Sequence, residues 1–99
     1  MRETSVMALD VVGFYKLMGE NPEITLETLS ARRKVIHEII YSYEGRVFNE
    51  AGDRIVAEFP TNEAAAKSAL DIQTEMVRLN MGSVAERKML FRAGINYGE

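Results

Sequence analysis

The 99-residue sequence contains no cysteine. That excludes a disulfide framework, a thiolate zinc site and a cysteine nucleophile. Proline occurs only at positions 22 and 60, each where an element is expected to begin or end. The single histidine, His37, falls near the wet side of a long helical stretch, with no ligand or catalytic role assigned to it. No apolar run approaches the roughly 20 residues of a membrane span. Met1 to Asp10 lacks the basic start and long apolar stretch of a signal peptide. The expectation is therefore a cytoplasmic chain with no membrane segment. Basic excess is missing too: Lys plus Arg is 12 against 15 for Asp plus Glu, a net charge of −3, which argues against a nucleic-acid partner. The length leaves no room for two domains, a TIM barrel or a full doubly wound sheet. There is no repeat, low-complexity tract or linker. What is present, 46% hydrophobic and 27% charged residues, suits one globular domain with one core.

Thr4 to Asp10 reads as a short, mostly apolar strand with Asp10 as its only carboxylate, at the C-terminal end. Val11 to Met18 reads as a turn running into a short helix that Gly19-Glu20-Asn21-Pro22 breaks. Asn21 can cap the next helix, with Pro22 at its first position and Glu23 beside the positive end of the dipole. Leu26, Leu29, Ile36, Ile40 and Tyr43 form its apolar stripe, with Glu27, Arg32, Arg33 and Lys34 on the wet side. Gly45 ends it. Gly45 to Glu50 and Ile55 to Phe59 read as a hairpin around Ala51-Gly52-Asp53-Arg54. Thr61 can cap a further helix with Ala65, Ala69, Ile72, Met76 and Leu79 on one side. On that helix Lys67 and Asp71 are spaced for a surface ion pair. In Lys88 to Asn96, Met89, Phe91, Ala93 and Ile95 alternate with Lys88, Leu90, Arg92, Gly94 and Asn96, which predicts a strand with one face to the core.

The order β-α(α)-β-β-α-β is the ferredoxin-like, α+β pattern. Right-handed crossovers put the two main helices on one face of an antiparallel sheet, with the first and third strands as central neighbours. That topology brings Asp10, at the end of the first strand, beside Asp53, before the third. Paired carboxylates repel unless one is protonated or a cation lies between them. With no histidine or cysteine nearby, the ligand set is all oxygen and favours magnesium or manganese. The turn from Val11 to Tyr15 opens a helix whose N–H groups can hold phosphate. Carboxylates for metal beside a phosphate turn suggest chemistry on a nucleoside triphosphate. Strand-end polarity and turn chemistry alone also account for both aspartates.

Met7-Ala8-Leu9-Asp10-Val11-Val12-Gly13-Phe14, followed by Lys16-Leu17-Met18-Gly19-Glu20, resembles the opening of bacterial class III adenylate/guanylate cyclase catalytic domains. Gly45-Arg46-Val47-Phe48-Asn49-Glu50-Ala51-Gly52-Asp53 with Ala57-Glu58-Phe59-Pro60, Ala69-Leu70-Asp71-Ile72-Gln73, and Arg92-Ala93-Gly94-Ile95-Asn96-Tyr97-Gly98 are similar to later segments, in family order. The resemblance implies a ferredoxin-like core that pairs head to tail, with active sites at the dimer interface. It implies conversion of ATP or GTP to the 3′,5′-cyclic nucleotide and pyrophosphate. Two Mg2+ or Mn2+ ions per site would be held by Asp10, Asp53 and the backbone carbonyl of Val11. Gly13, Phe14 and Tyr15 correspond to the triphosphate-binding stretch.

Three departures stand out. Asn49 occupies a position where a purine-selecting lysine is common, and asparagine can still hydrogen-bond a purine edge. Arg54 follows the hairpin aspartate where a small residue is usual, and it could contact phosphate or compete with metal. The sequence stops at Gly98-Glu99, before the family's second purine-selecting residue and the Asn and Arg that stabilise the transition state. The expectation is the N-terminal half of a cyclase catalytic domain, inactive by itself and self-associating, with exchange of elements between chains as one route. The alternative is a non-catalytic nucleotide-binding or regulatory dimerisation module.

Overall fold

A computed structural model describes residues 4–98. The chain forms β1 (Thr4–Val11), α1 (Phe14–Glu20), α2 (Pro22–Ser42), β2 (Arg46–Ala51), β3 (Arg54–Phe59), α3 (Asn62–Met81), a 3-10 turn (Ala85–Arg87) and β4 (Phe91–Gly98). The strands make one antiparallel sheet in the order β2-β3-β1-β4. β1 and β3 are the central pair, as the ferredoxin-like reading requires.

Local chemistry sets the helix starts. Asn21 accepts from the Ile24 N–H at 3.1 Å with Pro22 next in line, and Thr61 accepts from the Ala64 N–H at 3.0 Å. Both caps satisfy an N–H that has no partner inside its helix. β1 alternates strictly between buried and half-buried residues. Ser5, Met7, Leu9 and Val11 face the helices, and Thr4, Val6, Ala8 and Asp10 face the other way. The core joins Met7, Leu9 and Val11 with Ile55, Ala57 and Phe59 of β3, Leu29, Ile36 and Ile40 of α2, and Ala65, Ile72 and Met76 of α3. The two long helices therefore cover one face of the sheet. Gly45 lets α2 turn into β2 against that core: a Cβ there would lie 2.4 Å from the Phe59 ring and 2.7 Å from Ile40.

Several sequence expectations are corrected. Arg32 is buried, at 4% exposure, not on the wet side. It lies in line with Leu29 and Ile36, so helical spacing turns it inward. Its guanidinium donates to Asn80 Oδ1 at 2.8 Å and the Arg87 carbonyl at 3.2 Å, with Met76 Sδ 3.7 Å away. These acceptors at the end of α3 and the following turn hydrogen-bond the buried charge. Leu26, expected on the stripe, is 50% exposed because it lies off the buried line through Thr25, Leu29 and Arg32. The last strand begins at Phe91, not Lys88, since Ala85–Arg87 is a 3-10 turn. Ala93 and Ile95 are exposed although they pair with the buried Leu9 and Met7: on the edge strand, the helix layer covers only the Phe91 end. Lys67 pairs with Glu63 at 4.0 Å, while Asp71 accepts from the Tyr43 hydroxyl.

Candidate functional site

β1 and β3 run antiparallel with Leu9 opposite Ile55. The end of β1 therefore meets the start of β3, where the β2–β3 hairpin turns through Gly52 and Asp53. Gly52 has φ 59° and Asp53 does not share the left-handed region, the pattern of a type II′ turn with glycine first. The turn delivers Asp53 to the end of β1. Its Oδ2 accepts from the backbone N–H of Val11 at 2.9 Å across 42 positions of sequence. Asp10 and Asp53 thus meet at one end of the sheet.

A cation already belongs to this cluster. Arg92 lies opposite Asp10 on β4, and its Nε donates to Asp10 Oδ1 at 2.9 Å. The hydrogen bond to Asp10 raises the Arg92 pKa above its ordinary value, with the charges of Asp10 and then Asp53 adding to it. Both carboxylates therefore act on one guanidinium. From sequence alone Arg92 is one of the alternating residues of the last strand and part of its family-like segment, with no site role. Its signal was the alternation of β4, which puts it on the same sheet face as Asp10.

The segment after β1 is pinned at its start, where the Val12 N–H donates to the Leu90 carbonyl at 2.8 Å. Gly13 then takes φ 67° and α1 begins at Phe14. Phe14 packs against the core, whereas Tyr15 is 93% exposed. Of the proposed phosphate turn, Gly13 and the backbone of Phe14 and Tyr15 lie directly beyond Asp10 and Val11. Asn49 is exposed on β2 and pairs with Val56 past a bulge in the strand. Val56 pairs in turn with Ala8. Asn49 is thus two strands from β1, about 10 Å away, on the sheet face that carries Asp10. Arg54, exposed at the start of β3, lies on that face as well.

The donor set fits a hard divalent ion. Among the described residues no group of three or more His, Cys, Asp or Glu side chains could hold a metal. Magnesium, however, is commonly bound by one or two carboxylates, with water and substrate phosphates completing the octahedron. Two converging carboxylates beside a backbone segment are such a set.

The chain is 30% identical over 99 residues to putative adenylate cyclase 3 of Rhizobium meliloti, covering 99% of this chain and 17% of that protein. It superposes on an adenylate/guanylate cyclase/hydrolase from Silicibacter pomeroyi with TM-score 0.81 and 29% identity, over 98% of this chain and 56% of that one. A bacterial light-regulated adenylyl cyclase gives TM-score 0.89 at 24% identity, over 98% of this chain and 30% of that one. In sequence and in fold the chain is similar to class III adenylate/guanylate cyclase catalytic domains. No family model matches it. The chain spans about a sixth of the curated cyclase it matches and 30% to 56% of these two solved cyclases. No helix among the described residues is long and apolar enough to cross a membrane.

Proposed function

We propose that the chain is the N-terminal part of a nucleotidyl cyclase catalytic domain that converts ATP or GTP to the 3′,5′-cyclic nucleotide and pyrophosphate. The observation that carries this reading is the Asp53 carboxylate 2.9 Å from the Val11 N–H, beside Asp10, in a chain with cyclase relatives. Asp10, Asp53 and the Val11 carbonyl would hold two Mg2+ or Mn2+ ions. Such ions lower the pKa of the ribose 3′-hydroxyl and offset charge on the phosphates. The protein's own residues do the rest. Gly13 opens the turn at the start of α1, where first-turn N–H groups of Phe14 and Tyr15 lack helical partners and can take phosphate oxygens. Arg54 and Arg92 add positive charge on the same side of the sheet. Asn49 offers an amide to the purine edge. A second copy completes the site, and the exposed Ile95 and Tyr97 on β4 give apolar surface for association.

The decisive experiment measures cyclic nucleotide formation by the full-length protein with either metal and either purine. Product is expected, lost on Asp10→Ala or Asp53→Ala. No product under any combination overturns the reading. The 99-residue chain alone is expected to be inactive, because it spans only part of its relatives. A second reading, a nucleotide-binding or regulatory dimerisation module without turnover, is favoured by one observation: the Arg92 guanidinium already compensates Asp10. Calorimetric titration with Mn2+ and a non-hydrolysable ATP analogue separates such a binding module from an inert scaffold, and cyclic nucleotide formation by the full-length protein separates it from the cyclase.

A further inference from the structure

Arg33, next to the buried Arg32, projects from α2 to the β2–β3 hairpin. Its Nη2 donates to the Gly52 carbonyl, and its Nε lies 3.6 Å from Glu50 Oε2. His37, one helical turn further on, meets the same Glu50 oxygen at 2.9 Å. α2 therefore grips the hairpin at the residue before Asp53 and again at Glu50. At the tip itself a Cβ on Gly52 would have no neighbour within 4 Å. The carbonyl is the handle that remains. The Gly52 carbonyl belongs to the planar peptide unit that also contains the Asp53 nitrogen and Cα. Fixing the direction of that carbonyl fixes the plane from which the Asp53 side chain departs. On the other side, the Asp53 carboxylate is bonded to Val11. The tip is thus held between α2 and β1.

We propose that Arg33, supported by His37 through Glu50, is a positioning residue that presets the Asp53 carboxylate toward Val11 and Asp10. The inference rests on the reading of Asp53 as a metal ligand. It predicts that the acidic pair is only as well placed as the α2–hairpin contact is intact. A role confined to holding the helix on the hairpin would affect overall stability and leave the Asp53–Val11 bond unchanged.

The test uses the intact protein and two readouts: backbone amide exchange followed residue by residue, and Mn2+ affinity without nucleotide. Asp53→Ala sets the scale, with the Val11 amide losing its protection and Mn2+ binding lost. Arg33→Ala is expected to speed exchange at Val11 about tenfold, the order of a lost hydrogen bond to a charged group, and to weaken Mn2+ binding severalfold. The core amides of Leu9 and Ala57 change less than Val11, by no more than any loss of global stability allows. Arg33→Lys keeps a donor for Gly52 and recovers most of both effects. Unchanged Val11 exchange and Mn2+ affinity in Arg33→Ala overturn the proposal, as does a uniform rise in exchange across the sheet. Mn2+ affinity unchanged in Asp53→Ala defeats the metal reading instead, and Val11 exchange in Arg33→Ala still decides whether Arg33 positions Asp53.

Discussion

The two faces of one sheet do different work. On the helix side, Met7, Leu9, Ile55, Ala57 and Phe59 are at most 1% exposed and form the core. On the other side the sheet carries Asp10 on β1, Asn49 on β2, Arg54 on β3 and Arg92 on β4, all of them half-buried or exposed. Strand geometry allows this because successive side chains alternate faces. The comparison teaches that the acidic site is separable from the fold. Asp10, Arg54 and Arg92 each lie one position from a core residue (Leu9, Ile55 and Phe91) on the backbone and on the opposite side in space.

The largest test of that division is on β1 itself. Leu9→Ala is expected to cost about 2–5 kcal/mol in urea unfolding, as buried leucine truncations do. Asp10→Ala, its neighbour, is expected to stay within about 1 kcal/mol, the range of exposed ion pairs, while abolishing nucleotide turnover in the full-length protein. A loss above about 2 kcal/mol for Asp10→Ala would break the comparison.

The adjacent pair on α2 sharpens it. Arg32→Ala leaves the Arg87 carbonyl and Asn80 without their buried donor, an expected loss of about 2–3 kcal/mol. Arg33→Ala is expected to cost about 1 kcal/mol or less, measured in the same denaturation series. Equal losses would mean that the hairpin contact is as structural as the buried one. Gly45→Ala forces a methyl into the Phe59 ring and Ile40, for an expected loss of about 1–3 kcal/mol. Removing the α3 cap by Thr61→Ala is expected to cost about 1 kcal/mol.

The smallest effect is electrostatic. The Arg78 guanidinium hydrogen-bonds Glu75 and holds its carboxyl below the ordinary carboxylate range. A pKa depressed in the folded state contributes stability above the unfolded value, and that contribution disappears as pH falls through the folded one. Arg78→Ala should therefore flatten the acid limb of the stability curve slightly and change nothing at neutral pH beyond the weak surface pair. A loss confined to acid pH, or one equally large at pH 7 and in strong acid, would be contrary to this account.

Local rules made much of this molecule readable. Asn21 and Thr61 mark helix starts because each accepts from an N–H three residues on, and Pro22 does so because its fixed φ and missing N–H suit the first helical position. Period-two alternation and right-handed crossovers led to the strand order and so to the meeting of Asp10 and Asp53. Where a residue's partner is distant, those rules lose their hold. Charge argued Arg32 outward, but it is buried because acceptors about 50 positions away wait at the end of α3. Arg92 reads as one more outward residue of a strand until β4 is placed beside Asp10. Arg33 and His37 read as solvated side chains until the hairpin lies under them.

The sequence by itself determined the elements, their order and which acidic residues could converge, because propensity, capping and periodicity are encoded within a few residues. Only the tertiary structure decided which cations stand against those acids and what holds the hairpin tip in place. Those interactions depend on angstrom-scale distances between segments that no short window of sequence contains.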